Sequence, residues 1–591
     1  MYVVNKFAIL IFRKKNEYTD NVDESFKNYT TRSLNLEGTS INVIFQNDQG
    51  IYEDNNKFVL IDGVFFCGEL SDLISEFDSE EFFKNFDHQG VIVILDKAKK
   101  VIYAMRDPFG SRTFFFSSIK DLIVVSNDYS LMNNILHKFN VERNLDILTI
   151  YEFLALGTIK SRRTLIKNIK QMYPGEYLEI FPIEWKMRIT RYYEPWRLES
   201  RTEHDPHLIL QVFEFLKRRI NDFCYASERY TIYYGRRMIA APISGGLDTT
   251  LLLELTSRNY VCRKILFPIH INIVNEYELK LAREVSRKLH LTPQYVTYNY
   301  EMLVSNYFVE LEKLLKELGY PRKGDAALPY ILVGEWCNKK GLTILMSGDG
   351  GDGFFGGYDS YVRFLIDLLN KCRLKETIMY IKTLTLQGGI SISQVVRDIL
   401  KGFLLRFYPL RISMLRRKIN KLLYNAPKKL KTKILEYLLY YDALVDVLAS
   451  SSSIYKKFLL EYAMFELPQL LNTNVKAVGS YGVSAVFPFI SRRIFELLFD
   501  LPDHVFFLPY GPRSLQRVFL KHSGFSQRVY LQKKSGFSMT SLILNNDTIL
   551  DNISKRLKNS KLSRFIKVDK LGGLDLLNAY NVHVLIEILN I

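Results

Sequence analysis

Met238-Ile239-Ala240-Ala241-Pro242-Ile243-Ser244-Gly245-Gly246-Leu247-Asp248-Thr249-Thr250 decides how this chain folds. The run Met238–Ile243 is apolar and too short for a helix, so it reads as a buried strand that stops at a glycine pair. Leu251 to Leu255 begins a helix, and Ile265 to Ile273 reads as the next strand. Strand, helix, strand at this spacing is the pattern of a parallel sheet. A third strand, Thr343-Ile344-Leu345-Met346, runs into Ser347-Gly348-Asp349-Gly350-Gly351-Asp352. Both glycine-rich turns therefore stand at the carboxyl ends of parallel strands, where open α/β sheets bind their ligands.

The residue types in the first turn suit a phosphate. Gly245 and Gly246 let the backbone approach an anion, the following helix N-terminus faces it, and Ser244 and Thr249 add hydroxyl donors. The turn is not a Walker loop, because no Lys-Ser/Thr pair follows its last glycine. Asp248 within an anion-binding turn calls for a cation. Mg²⁺ held by one or two carboxylates and by phosphate oxygens meets that need, with Asp352 of the second turn as the other carboxylate. A phosphate group accompanied by Mg²⁺ is the ligand expected there.

Working outward, residues 1 to about 195 are rich in strand patterns: Met1–Phe12, Phe58–Ile61, Val91–Leu95, Val101–Ala104 and Thr113–Phe116. Leu208–Phe223 has helical spacing, and beyond residue 360 the chain is mostly helical. At 591 residues it is too long for one core, and two domains are expected. Met1–Phe12 is interrupted by Lys6 and lacks a cleavage site, so it reads as a strand and not a signal peptide. No apolar stretch is long enough to span a bilayer, and a cytoplasmic location is expected. Five cysteines (Cys67, Cys224, Cys262, Cys337 and Cys372) are scattered singly, which favours buried thiols.

The net charge of +17 is uneven. Between Arg397 and Lys433 stand Lys401, Arg406, Arg411, Arg416, Arg417, Lys418, Lys421, Lys428, Lys429 and Lys431, almost without acids. Apolar residues recur among them, as in basic amphipathic helices. The stretch is either a solvated helical face or a dock for an acidic peptide, a protein partner or a membrane surface. No nucleic-acid-binding module is recognisable.

The two turns together carry a resemblance. Ser244–Thr250 is similar to the S-G-G-x-D-S pyrophosphatase-loop motif of the asparagine synthetase family. Ser347–Tyr358 resembles the family's S-G-D-G-G-D-E-L-F-G-G-Y, about 100 residues further on. Glu278–Ala282 before a helix, Asp325–Tyr330 and Lys534-Ser535-Gly536-Phe537 are similar too. The resemblance implies ATP-dependent formation of an acyl-adenylate and pyrophosphate, followed by attack of an amine to give an amide. By motif position it places the polyphosphate on Ser244, Gly245, Gly246, Asp248, Thr249, Ser347 and Gly348, and Mg²⁺ on Asp248 and Asp352. It puts Lys534 against the departing pyrophosphate and Asp349 near the reacting acyl group as base or orienting group.

Arg106–Arg112 and the stretches Tyr151–Gly157 and Tyr173–Tyr177 extend the resemblance to the family's class II glutaminase half. The implied architecture is an α+β domain of sandwiched antiparallel sheets over residues 1–195. An α/β parallel-sheet adenylating domain follows over residues 205–591, with a helical C-terminal part and a basic helical insertion near 397–433. The glutaminase chemistry itself is missing. It needs an N-terminal cysteine whose α-amine serves as base, and position 2 is Tyr2. The glutamine-gripping N-G-E reads Asp62-Gly63-Val64, and Cys67, being internal, is no replacement.

The acceptor side departs as well. Ser484-Ala485-Val486-Phe487-Pro488-Phe489-Ile490-Ser491 stands where asparagine synthetases have E-x-R-x-P-F-L-D, and Gly353 stands for a Glu. Family branches with a dead glutaminase half take the amine from the substrate, and the chain looks most like lasso-peptide macrolactam cyclases. A precursor peptide would then be the substrate, with a leader-handling or protease protein as partner. An asparagine synthetase-like enzyme using a small carboxylate and free ammonia, and an inactive scaffold of a maturation complex, are the alternatives.

Overall fold

The computed structural model describes residues 2–3, 6–13, 26, 28–37, 39–46, 50–65, 87–199, 206–234, 239–272, 276–297, 300–322, 328–387, 390–406, 408–423, 427–449, 452–532 and 543–590. Lys534 and Cys67 lie outside the described residues, as do Asp325, Ala326 and Ala327.

Period-2 patterning builds the first layers. Strand Phe7–Phe12 is buried along its whole length, yet its two faces serve different cores. Phe7, Ile9 and Ile11 meet Phe58, Leu60, Val91 and Val93 of a second antiparallel sheet. Ala8, Leu10 and Phe12 pack instead with helical residues such as Leu131 and Phe153. Alternate side chains must leave opposite faces of a strand, so a strand apolar at every position is a layer between two others. Each fully buried Phe, Ile or Leu contributes about 1.5–3 kcal/mol relative to exposure. The two sheets have seven and six strands among the described residues. The expected first strand is broken in two: Tyr2–Val3 pairs with Asp62–Gly63 of one sheet, and Phe7–Phe12 lies in the other. The Thr113–Phe116 strand begins only at Phe115 and runs to Ile119, while the Thr113 hydroxyl donates to Asn127 O.

The parallel sheet has five strands in the order Gln294–Thr297, Leu266–Asn272, Ile239–Pro242, Ile344–Met346, Ser484–Val486. All four pairings are parallel. The chain enters at the central strand, Ile239–Pro242, and winds to one side. It then returns to lay Ile344–Met346 on the other side of that strand. The reversal of direction falls between these two strands, and that is where a crevice opens at the carboxyl edge of such a sheet.

The first antiparallel sheets are tied to the far edge of the parallel sheet. Buried Gln89 donates to Phe487 O at 2.6 Å and Ile490 O at 2.9 Å, and accepts from Phe487 N at 3.1 Å. Arg219 also donates to Ile490 O, at 2.7 Å, and pairs with Asp87. One element contradicts the expectation of isolated thiols. Cys224 of helix Pro206–Tyr234 and Cys262 of helix Tyr260–Ile265 form a disulfide, with Cα atoms 5.1 Å apart. Single spacing along a sequence says nothing about two helices laid side by side. Of the other described cysteines, Cys337 is buried and Cys372 exposed. Among the described residues no helix is long and apolar enough to cross a membrane.

Candidate active site

The first turn is closed by its own hydroxyls. Ser244 Oγ accepts from Gly246 N at 3.1 Å and lies 2.8 Å from Thr249 Oγ1, which donates to Gly246 O at 3.2 Å. Gly245 has φ +76°, and a Cβ there would run into Leu281 Cβ and Ala282 N. Only glycine meets both demands. The Glu278–Ala282 stretch lies inside helix Glu276–Lys288, not ahead of it, and packs the turn from outside. Gly246 caps helix Leu247–Ser257, whose first turn carries Asp248.

The second turn lies directly on the first. A Cβ at Gly348 would stand 3.1 Å from Asp248 Cβ, and one at Gly351 would collide with Asp248 Oδ1. The glycines are what allow Asp248 and Asp352 to share one crevice. Arg513 reaches both carboxylates: its Nη1 is 2.6 Å from Asp352 Oδ1 and 3.4 Å from Asp248 Oδ2. Gln516 Nε2 donates to Asp248 Oδ1 at 2.7 Å. Arg513 is buried at the N-terminus of helix Ser514–His522, with φ +63°.

Asp349 is turned to the other side of the crevice. Its Oδ2 accepts from Ser347 Oγ at 2.8 Å, from Asn474 Nδ2 at 2.7 Å and from the Tyr330 hydroxyl. Burial pushes its carboxyl above the ordinary range, while these donors pull it back. Tyr330 is raised well above the usual phenol, first by burial and then by the Asp349 charge.

The structure thus brings Ser244, Gly245, Gly246, Asp248, Thr249, Ser347, Gly348, Asp349 and Asp352 together at one edge of the sheet. Lys534 is outside the described residues, but Gln532, two positions earlier, donates to Gly245 O. Sequence reasoning missed Arg513, Gln516 and Asn474, which carry no local signal. Tyr330 ends a stretch singled out for its resemblance, so a signal was there. Among the described residues no group of three or more His, Cys, Asp or Glu side chains could hold a metal by itself. Two carboxylates beside a glycine turn and a helix N-terminus nevertheless fit Mg²⁺, which takes one or two carboxylates and completes its shell with phosphate and water oxygens.

A model of the family described as asparagine synthase matches residues 235–581, which contain the whole parallel sheet and both turns. The chain belongs to the asparagine synthase family. A glutamine amidotransferase domain model matches residues 75–193. Relatives within the asparagine synthase family include asparagine synthetase [glutamine-hydrolyzing] 1 of Bacillus subtilis, 22% identical over 271 residues. That match covers 46% of this chain and 39% of the relative. A putative asparagine synthetase [glutamine-hydrolyzing] 1 of Methanocaldococcus jannaschii is 23% identical over 294 residues, covering 50% and 49%. The chain therefore spans less than half the length of these relatives.

In this asparagine synthase-family chain the geometry explains one departure and locates another. Gly353 has no space for a side chain, because a Cβ there would enter the Tyr462 ring. Tyr462 opens a π-helical turn, Tyr462–Glu466, which swings it over the second turn. In the first layers, Tyr2 pairs with Gly63 and Val3 with Asp62. Buried Asp62 accepts from Asn127 at 2.7 Å and lies 3.7 Å from Arg112 Nε. A cavity of about 330 Å³ beside it is lined by Lys6, Asp62, Arg112, Lys476 and Ser484.

Proposed function

We propose that this chain activates a carboxylate with ATP and joins it to an amine, and that the amine belongs to the substrate itself. The observation that carries the reading is the pairing of Asp248 and Asp352 across two glycine turns at the switch point of the sheet. In this reading the amides of Gly245 and Gly246 and the hydroxyls of Ser244 and Thr249 bind the polyphosphate. Asp248 and Asp352 would hold Mg²⁺, which supplies charge neutralisation at the phosphates when bound. The substrate carboxylate attacks the α-phosphorus and pyrophosphate leaves, with Lys534 offsetting its charge. Attack of the amine on the acyl-adenylate then releases AMP and leaves an amide. Asp349, whose burial makes its ionised carboxylate a stronger base than an exposed one, would in that form take the proton that the amine sheds and become the neutral acid.

The finer reading is macrolactam closure, in which a peptide's N-terminal amine joins one of its own Asp or Glu side chains. Asp62-Gly63-Val64, standing where the glutaminase half has its glutamine-gripping N-G-E, supports it, since the groups that would hold glutamine as an ammonia donor are replaced. So does the Ser484–Ser491 segment: Val486 and Phe487 are buried and apolar, and Ser484 stands where a small amino acid would need a charge. Use of free ammonia with a small carboxylate is the second reading.

One assay separates them. Pyrophosphate and AMP release are followed with the full chain given either aspartate and ammonium or peptides carrying a free N-terminal amine and an internal Asp or Glu. Peptide-dependent release with loss of one water from the peptide mass is the expected result. Release with aspartate and ammonium alone refutes cyclisation, and release that survives Asp248→Ala refutes the mechanism.

A further inference from the structure

Helix Leu374–Leu386 buries Thr377, Tyr380 and Leu384, and helix Ile392–Arg406 buries Val395. Both rest on helix Ser360–Asn370. Tyr380 meets Phe364 edge to face, and Gly402 brings the second helix close to Val362 and Ile366. Amphipathic helices usually turn a polar side to solvent. These two turn apolar residues outward as well: Leu374, Ile378, Leu386, Ile392, Val396 and Leu400 are each 48–72% exposed. Ile392, Val396 and Leu400 recur every fourth residue and form one stripe. Large apolar side chains clustered in the open on two neighbouring helices are the feature that marks a binding face.

The charge around it identifies the partner. Residues 371–433 contain sixteen Lys and Arg against two acids, a net of +14 out of the chain's +17. Of those acids, Asp398 accepts from the Tyr361 hydroxyl. Lys418 and Lys421, further along, are turned to Asp575 at 3.4 and 4.0 Å. Lys375, Lys382, Arg397 and Lys401 are exposed on the same two helices as the apolar residues. Lysine is depleted from the cores of protein–protein interfaces. At a lipid surface the same mixture is favourable, because Lys and Arg stems lie along apolar surface while their heads reach the phosphates.

We infer that helices Leu374–Leu386 and Ile392–Arg406 form a docking face for an anionic lipid bilayer surface. Apolar side chains enter the headgroup boundary, and the surrounding cations meet acidic headgroups without crossing the membrane. The inference is independent of the reaction proposed above.

Flotation of the full chain with vesicles of phosphatidylcholine alone, or of phosphatidylcholine with phosphatidylglycerol, tests it. Binding to the anionic vesicles is expected to exceed that to neutral ones by about tenfold or more, since each cation near the surface adds to the attraction. Raising the salt should weaken it. The pair Ile378→Ser with Leu400→Ser keeps the charge and should lower binding by about tenfold. The pair Lys375→Glu with Lys401→Glu keeps the apolar face and should remove the preference for anionic vesicles. Unchanged melting certifies that the variants are folded. Equal binding to both vesicle types, or binding that neither pair alters, overturns the inference. Binding of polyglutamate with no vesicle binding also overturns it and assigns the face to an acidic protein.

Discussion

Replacing Arg513 by methionine isolates what the guanidinium does between the two aspartates. One nitrogen contacts Asp352 Oδ1 at 2.6 Å and Asp248 Oδ2 at 3.4 Å, so those oxygens are no more than about 6 Å apart. Two negative charges at about 6 Å repel by about 3 kcal/mol at an effective dielectric constant of about 20. The cation offsets this repulsion when no metal is bound. Arg513→Met removes the offset while keeping most of the side-chain volume, and Gln516 still donates to Asp248. In EDTA at neutral pH and low salt, the variant should melt about 2 °C below the parent, given the small shift per kcal/mol in a chain of this size. Millimolar Mg²⁺ binds only the folded pair and should restore most of the loss. The parent, whose carboxylates are already bridged, should respond much less to Mg²⁺ without nucleotide. The assay is thermal unfolding of both proteins with and without the metal. If they melt together in EDTA, or if Mg²⁺ raises both equally, Arg513 is not a counter-ion for this pair and the reasoning fails.

Three further outcomes are expected. Gly353→Ala forces a methyl into the Tyr462 ring and should cost about 1–3 kcal/mol, as overpacking does. In a Tyr462→Ala background that cost should vanish, and an equal cost in both backgrounds would show that the ring is not the obstacle. Cys224→Ser opens the bond that closes a separation of 38 residues, which loop entropy values at about 4 kcal/mol. Alkylation of the unreduced, denatured parent should spare Cys224 and Cys262 but label Cys337 and Cys372; labelling of all four would exclude the bond.

The third outcome concerns pH. Burial pushes the Lys456 ammonium down to about 8, although its Nζ donates to Leu498 O and Leu501 O. Between that value and 10.5 the unfolded chain holds a proton that the folded chain has released, so folded stability rises with pH there. Stability of the parent relative to Lys456→Met should therefore climb by up to about 3 kcal/mol from pH 7.5 to 10.5. A flat difference would mean that Lys456 keeps its ordinary affinity for protons.

The turns at Ser244–Thr250 and Ser347–Asp352 were legible in the sequence because their chemistry is local. A glycine pair after a short apolar run, with an aspartate two residues on, specifies a strand end, a bend and a helix start within a dozen residues. The parallel sheet followed from the same spacing. The proximity of Asp248 and Asp352 followed in turn, because carboxyl ends of neighbouring parallel strands face one way. The departure at Asp62-Gly63-Val64 was equally plain, since a change of residue type within a motif needs no structure to be noticed.

Tertiary structure alone decided the rest. Arg513 lies 265 positions from Asp248 and 161 from Asp352, and no periodicity links it to either. Asn474 reaches Asp349 across 125 residues, and Cys224 meets Cys262 because two helices pack, not because of their spacing. The exposed apolar stripe at Ile392, Val396 and Leu400 has the pattern of a core-facing helix. Hydrophobic spacing tells which residues share a face, and only the packed neighbours determine whether that face is covered.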